Sequence, residues 1–248
     1  MRAYVTGGTS GIGRACVERL RQDGAEVVFS GRSTERGQAV VAATGACFLP
    51  CDLSDRIASD RTLDEAISRL GGLDALVLNA GMLFQGSIEA TPEAAFRELV
   101  EVNVTAVFRI ARRAWPALVA SGASVVVIGS DTTIRGVHSI AAYSVTKAAV
   151  GAVADLLAGE GAPVGVRVNC VCPGDVEPGV QATPAGHESH AEDPAGWVLP
   201  PGGRFGTGED VARLVAWLLG SESGHVNGAT VRIDGGMGAV FSAETRVV

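Results

Sequence analysis

The sequence lacks dense lysine and arginine clusters, long apolar runs and a recognisable leader. Its 248 residues carry 20 basic and 27 acidic side chains, a net charge of −7. Polyanions are bound mainly by dense basic patches, so we expect no nucleic-acid partner. No uncharged apolar run reaches the roughly 18 residues of a membrane span, and the first residues do not resemble a secretory signal. These absences predict a cytoplasmic protein with no membrane partner.

A disulfide framework is also missing. The five cysteines are odd in number and lie mostly in apolar stretches, which predicts reduced packing residues. Cys170 and Cys172 alternate along a predicted strand and therefore share one face. No histidine or second cysteine pair completes a zinc ligand set there, so we expect no metal.

Short β-branched runs alternate with helix-like segments along the whole chain. This pattern is typical of an α/β fold in which crossover helices cover a doubly wound, parallel sheet of seven strands. The predicted strands are residues 3–6, 26–30, 47–49, 75–79, 124–130, 166–171 and 230–233. The clearest helical periodicity falls in residues 12–22, 92–119, 143–157 and 209–219. Thr91 and Pro92 look like an N-cap followed by proline at the first helical position.

The length suits a single Rossmann domain spanning residues 1–248. One segment, residues 178–205, interrupts the alternation with prolines and glycines and has no strand or long helix of its own. Such a stretch inside a domain is usually a functional loop, so we expect it to contact substrate.

A glycine-rich turn follows the first predicted strand and opens directly into a helix. Its candidate cofactor-binding residues are Gly7, Thr9, Ser10, Gly11, Ile12 and Gly13. Glycines let the backbone turn tightly and approach a pyrophosphate, whose charge is met by N–H groups at the helix N-terminus. The turn therefore predicts a dinucleotide site.

The second predicted strand ends without the carboxylate that often binds the adenosine ribose. Arg32 and Ser33 stand there instead, and the guanidinium of Arg32 could pair with a 2′-phosphate. This favours NADP(H), although NAD(H) stays possible and Arg32 could equally be an ordinary surface arginine. After the third strand come Asp52 and Leu53; the Asp52 carboxylate could accept a bond from the adenine amino group or simply cap a turn.

Tyr143 and Lys147 lie four residues apart and therefore on one face of a predicted helix. A free tyrosine has a pKa near ~10, and a neighbouring ammonium would lower it, so that Tyr143 could exchange a proton with a substrate oxygen. Ser130 comes at the carboxyl edge of the sheet, where ligands bind in such folds. Asn103 interrupts an apolar helical pattern and, if buried, needs partners such as water.

With these motifs in this order, the chain resembles the short-chain dehydrogenase/reductase family over essentially its whole length. The glycine turn is similar to the family's cofactor turn, and Asn79, Ala80 and Gly81 to the motif that ends its fourth strand. Pro173, Gly174 and Val176 resemble the segment against the nicotinamide. Residues 203–206 and 233–236 are similar to the family's C-terminal region.

The resemblance implies a catalytic tetrad of Asn103, Ser130, Tyr143 and Lys147 that interconverts a small alcohol and a ketone with a nicotinamide cofactor. Tyr143 would be the acid–base group, Lys147 would bind the nicotinamide ribose, Ser130 would orient the substrate and Asn103 would support a proton-relay water. It also implies a homotetramer or homodimer. Pro178 departs from the pattern because many members have a threonine there.

The substrate remains open. Candidate pocket walls are Met82, Leu83, Asp131, His138 and Ile140, beside His187, His190 and Trp197 in the loop. Two alternatives fit the sequence less well. Dehalogenase-like relatives lose the cofactor turn that this chain keeps, and an NADP-sensing regulator without turnover can dispense with Tyr143 and Lys147, which this chain also keeps.

Overall fold

Seven parallel strands form the central sheet of the computed structural model, which describes residues 1–177 and 199–240. The strands are β1 (Arg2–Thr6), β2 (Glu26–Gly31), β3 (Cys47–Pro50), β4 (Ala75–Leu78), β5 (Ser124–Ile128), β6 (Arg167–Pro173) and β9 (Thr230–Ile233). Their spatial order is β3-β2-β1-β4-β5-β6-β9, which confirms the predicted doubly wound α/β fold. Two short strands, β7 (Val176–Glu177) and β8 (Gly206–Thr207), pair beside the sheet.

The helices are α1 (Gly11–Gln22), α2 (Thr34–Thr44), α3 (Arg56–Leu70), α4 (Glu93–Val100), α5 (Ala106–Ser121), α6 (Ala141–Gly161), α7 (Gly208–Leu219) and α8 (Met237–Val240). The predicted continuous helix over residues 92–119 is wrong in one respect, because a π-helical turn (Glu101–Thr105) separates α4 from α5. The predicted cap is also displaced: Pro92 is the N-cap and Glu93 the first helical residue.

Each face of the sheet buries its own apolar core. Leu63, Ile110 and Val150 represent the core under α3, α5 and α6. Val17, Phe29 and Val215 represent the opposite core, under α1, α2 and α7. Because both faces are covered, the strands are apolar on both sides, which explains the continuous β-branched runs in the sequence.

Helix α6 with its 3₁₀ extension, Ala141–Val164, is long and apolar enough to cross a membrane by length and composition alone, with a mean hydropathy of 1.2. Half of its most apolar 18-residue stretch is buried inside the protein. The buried side packs against β6 and carries Tyr143 and Lys147, so its apolar character has an ordinary explanation as a core helix.

Candidate active site

The site lies at the carboxyl ends of the central strands. Strand β1 pairs with β2 on one side and β4 on the other, so the strand order reverses at β1. In open parallel sheets, ligands bind in the crevice outside such a reversal. The glycine turn follows β1, Asn79 follows β4 and Ser130 follows β5, so the topology brings the predicted residues to one edge.

The glycine turn has no space for larger side chains at two positions. A Cβ on Gly13 would lie 2.2 Å from the carbonyl oxygen of Gly7, and one on Gly7 would lie 2.9 Å from Ala80 Cα. Gly7 also has a φ of 70°, which L side chains rarely adopt. Ser10 is the N-cap of α1 but makes no side-chain cap hydrogen bond. The first N–H groups of α1 and the Ser10 hydroxyl are therefore available to an anion.

Asn79 braces this turn. Its Nδ2 donates to the carbonyl oxygens of Thr6, at 3.0 Å, and Gly7, at 3.2 Å. The hydroxyl of Thr6 in turn accepts from the backbone N–H groups of Asn79 and Ala80. The hydrogen bonds of the Asn79 side chain thus fix the distance between the glycine turn and the residues 79–81 that follow β4.

At the adenosine end, Arg32 is exposed, and within residues 1–177 and 199–240 no hydrogen bond or ion pair holds its guanidinium. Ser33 is the N-cap of α2 and accepts from Arg36 N at 3.3 Å. Asp52 accepts from both the N–H and the hydroxyl of Ser54. Burial alone would raise the pKa of Asp52, but the Ser54 bonds and the charge of Arg32 leave that pKa lowered. Both roles considered for Asp52 therefore remain compatible, since it closes a turn and stays ionised.

Arg109, which sequence reasoning missed, fixes the backbone beside that carboxylate. Its guanidinium donates to the carbonyl oxygen of Leu53 at 2.8 Å and pairs with Glu101 at 3.1 Å and Asp60 at 3.6 Å. The side chain is only 9% exposed. It ties the turn containing Leu53 to the helix that carries Asn103.

Tyr143 and Lys147 lie on one face of α6, as predicted, and both are buried. Lys147 is the only lysine in the chain. Its Nζ lies 5.6 Å from the Tyr143 ring centroid and donates to the carbonyl oxygen of Ile128 at 2.8 Å. An ammonium has three donors, so two remain for other partners.

The predicted lowering of the Tyr143 pKa is wrong for this structure. Burial raises the pKa of Tyr143 to about 12, although a hydrogen bond with Ser130 acts in the opposite direction. Burial lowers the pKa of Lys147 to about 8. Desolvation penalises the charged form of each group, so at neutral pH Tyr143 is a neutral phenol and Lys147 mostly an ammonium.

Ser130 lies two residues beyond the end of β5 and begins a 3₁₀ turn. Its Oγ donates to Asp131 Oδ1 at 3.0 Å and accepts from Thr132 N at 3.2 Å. Thr133 completes a capping box by accepting from the Ser130 N–H. This network fixes the Ser130 hydroxyl beside Tyr143.

Asn103 lies in the π-helical turn and is 1% exposed. Its side chain accepts from Met82 N at 2.8 Å and donates to Met82 O at 2.9 Å and to Thr146 Oγ1 at 3.0 Å. The side-chain amide of Asn103 is therefore hydrogen-bonded within the chain.

The turn after β6 is fixed against β9. Gly174 N donates to Ile233 O at 3.1 Å, and Val176 is buried where β7 pairs with Gly206. Asp175 lies between them. It was not among the residues named from the sequence, although it directly follows Pro173 and Gly174 at the carboxyl end of β6. Asp131 and Ile140 are half-buried near this edge, and His138 is exposed.

Four residues named from the sequence, Pro178, His187, His190 and Trp197, lie outside the described residues, as does most of the predicted substrate loop. Within the described ranges no three His, Cys, Asp or Glu side chains cluster as metal ligands would. All five cysteines are free, and the sulfurs of Cys170 and Cys172 lie 3.8 Å apart.

Comparison with known proteins gives a consistent result. A family model described as enoyl-(acyl carrier protein) reductase matches residues 7–238. An L-2,3-butanediol dehydrogenase from Corynebacterium glutamicum is 33% identical, covering 95% of this chain and 97% of the relative. A 2-(S)-hydroxypropyl-CoM dehydrogenase from Xanthobacter autotrophicus is also 33% identical, covering 95% and 96%. The crystal structure of a levodione reductase superposes with a TM-score of 0.87 at 28% identity, covering 96% and 97%.

Proposed function

The chain belongs to the short-chain dehydrogenase/reductase family, and from that premise we propose which of its residues perform the chemistry. It is an NAD(P)-dependent oxidoreductase of alcohols and ketones. The observation that carries the assignment of roles is the convergence of Ser130, Tyr143 and Lys147 at the sheet edge beside the glycine turn.

Tyr143 is the acid–base group. Its neutral phenol is the form required to protonate a carbonyl oxygen during reduction, and its deprotonated form is the one required to accept the alcohol proton during oxidation. Ser130 donates to the substrate oxygen and holds it next to the Tyr143 hydroxyl. Lys147 keeps a positive charge within 5.6 Å of the Tyr143 ring, which favours transient negative charge on the phenol oxygen.

The residues around the turn fit a dinucleotide. Gly7 and Gly13 let the turn close tightly against its own backbone and Asn79, and the uncapped N-terminus of α1 offers N–H donors beside Ser10 to a pyrophosphate. Thr9, Gly11 and Ile12 complete this cradle. When bound, the nicotinamide supplies or accepts the hydride at the substrate carbon.

The remaining cofactor-binding residues contact the two ends of the dinucleotide. At the adenosine end these are Asp52, Leu53, Arg32 and Ser33, and at the nicotinamide end they are Gly81, Pro173, Gly174, Val176 and Lys147. Asn79 and Ala80 act mainly through Thr6, which they hold in place. Two Lys147 donors remain for the nicotinamide ribose, since one is used by Ile128.

NADP(H) is the preferred cofactor in this proposal. Arg32 is exposed, no hydrogen bond or ion pair engages it in the described part of the chain, and the end of β2 has no carboxylate to repel a 2′-phosphate. Ser33 can contribute a hydroxyl at the same place while capping α2.

We further propose a single domain that assembles as a homodimer or homotetramer in the cytoplasm. One sheet shared by two cores supports the single domain. Phe108, Val145 and Leu156 are 54, 55 and 66% exposed on α5 and α6, which supports association through those helices. Five free cysteines are consistent with a reducing compartment.

The experiment is a panel of ketones, aldehydes and alcohols assayed with NADPH and NADH, using the wild type, Ser130→Ala and the surface control Ser68→Ala. Loss of the oxygen-orienting hydroxyl should lower kcat by about 100-fold on the best substrate, whereas Ser68→Ala should match the wild type. Full activity in Ser130→Ala would remove Ser130 from the proposed machinery.

A further inference from the structure

Two oppositely charged side chains lie next to the Ser130 hydroxyl. Asp131 Oδ1 accepts from Ser130 Oγ at 3.0 Å, and its Oδ2 accepts from Arg135 Nη2 at 2.8 Å. The side chains of Asp131 and Arg135 are 20 and 32% exposed. Asp131 is close enough to Tyr143 to act on its pKa in the raising direction.

A second carboxylate, Asp175, faces the same group of charges. It follows Gly174 at the turn after β6, and its backbone oxygen accepts from Gly206 N at 2.9 Å. The side chain is accessible to solvent but surrounded by protein, so desolvation raises its pKa; Asp131 adds to that rise and Arg135 opposes it. Arg135 is thus bonded to Asp131 and lies close enough to Asp175 to act on its pKa.

Closing the turn after Ser130 does not require the Asp131 side chain. The 3₁₀ turn after Ser130 is already closed by the Ser130 and Thr133 hydroxyls, so it does not need Asp131 as a cap. Within the described part of the chain, no group donates a hydrogen bond to the Asp175 carboxylate. The exposed Asp175 carboxylate and the half-buried Asp131 carboxylate are therefore both able to accept a hydrogen bond from a bound molecule.

The Ser130 hydroxyl has only one hydrogen to donate, and this determines which hydrogen-bonding groups a good substrate carries. That hydrogen goes to Asp131 in the structure, but it must turn to the substrate oxygen during the reaction. Asp131 then loses a donor. A substrate that places its own donor there restores the bond, whereas one with a methyl group leaves the carboxylate unsatisfied.

We propose that Asp131 and Asp175 select substrates that carry a hydrogen-bond donor, a hydroxyl or an ammonium, on the carbon next to the reacting one. This rests on the proposed function of Ser130 and Tyr143. The two oxygens of a vicinal diol are about one hydrogen-bond length apart, which matches the Ser130–Asp131 separation. In oxidation, a diol would lose its carbon-bound hydrogen as hydride to the oxidised cofactor and its hydroxyl proton to the phenolate form of Tyr143, whose own proton has first left to solvent, giving an α-hydroxy ketone. A carboxylate at the neighbouring carbon is repelled.

The test compares four alcohols of matched chain length: butane-2,3-diol, 3-aminobutan-2-ol, butan-2-ol and 3-hydroxybutanoate. We expect kcat/KM for the diol to exceed that for butan-2-ol by about 10- to 100-fold, the range for a hydrogen bond to a charged group. The amino alcohol shows whether an ammonium serves as well as a hydroxyl, and the anion should be the poorest substrate. Values of kcat/KM for the diol and butan-2-ol that agree within about threefold would overturn the proposal. Activity on other ketones, without oxidation of this diol or reduction of acetoin, would overturn it as well.

Two variants connect the preference to these residues. Asp175→Asn and Asp131→Asn should each lower the diol-to-butan-2-ol ratio by about five- to tenfold, mainly through KM for the diol, because a neutral amide is a weaker acceptor. The surface substitution Asp23→Asn should leave the ratio unchanged. The exposed position of Asp175 tolerates the change to asparagine, so an unchanged ratio in Asp175→Asn would contradict the proposed role of Asp175. An unchanged ratio in Asp131→Asn would contradict the role of Asp131.

Failure of the underlying mechanism would look different. Tyr143→Phe should lower kcat for all four alcohols together and leave their ratios alone. Retained activity in that variant would refute the acid–base assignment, whereas equal ratios in the wild type would refute only the substrate preference.

Discussion

Replacing Lys147 with methionine should remove a measurable pH dependence from the stability of the protein. Burial lowers the pKa of Lys147 from 10.5 to about 8. Since the folded pKa is below the unfolded one, the unfolded chain binds more protons between these values. Stability must therefore rise as pH increases through this window.

The size of the effect follows from the two pKa values. Between pH 7 and pH 9.5 the wild type should gain about 2 kcal/mol of unfolding free energy from this one group. The Lys147→Met variant keeps an apolar stem of similar length but has no charge to bury. At pH 7 it should be about 1–2 kcal/mol more stable than the wild type, after the loss of the bond to Ile128 is counted, while losing activity.

Urea unfolding of both proteins at pH 7 and pH 9.5 measures this difference. The thiols of Cys170 and Cys172 influence the Lys147 pKa, so the comparison is repeated in a Cys170→Ala/Cys172→Ala background. Because the chain has a single lysine, ¹³Cε-lysine labelling gives one NMR signal to titrate. Equal pH dependence in the wild type and the variant, or a lysine midpoint at 10 or above, would refute the reasoning.

Three further predictions concern the cofactor and the assembly. Arg32→Asp should shift the NADPH-to-NADH ratio of kcat/KM towards NADH by at least about tenfold, since a charge-assisted bond is replaced by repulsion; Arg36→Asp controls for net charge, and equal ratios in the two variants would return Arg32 to an ordinary surface role. Arg109→Met should cost about 1–3 kcal/mol in urea unfolding and weaken NADP⁺ binding measured by calorimetry, because Leu53 loses its anchor; unchanged affinity would separate Arg109 from the adenosine end. Phe108→Glu should lower the mass measured by light scattering, and an unchanged mass would exclude that face of α5 from the interface.

The sequence predicted the sheet well because a parallel strand buried on both faces has a continuous apolar signature. It did not predict α2 and α3, since their buried faces include small or polar residues such as Gly37, Ser59 and Thr62. A periodicity that depends on large apolar side chains cannot detect such helices.

The residues of the candidate site could be named from the sequence, but their surroundings could not. Spacing alone placed Tyr143 and Lys147 on one face, but it could not show that burial is the largest influence on the pKa of each. The partners of Asn103 also escaped prediction, since Met82 lies 21 residues away and Thr146 lies 43 residues away. Long-range contacts of this kind are set by the tertiary packing.

The most direct test of the acid–base assignment uses the two tyrosines of the chain as a matched pair. Both are buried, and Tyr4 hydrogen-bonds Ser30 Oγ at 2.9 Å, away from the reacting groups. With a substrate found in the panel, kcat is measured for Tyr143→Phe and Tyr4→Phe, with NADP⁺ affinity measured in parallel. Tyr143→Phe should lower kcat by about 100- to 10,000-fold with cofactor affinity retained, while Tyr4→Phe should lose about 1 kcal/mol of stability and keep its kcat. A Tyr143→Phe enzyme that turns over as fast as Tyr4→Phe would contradict the account.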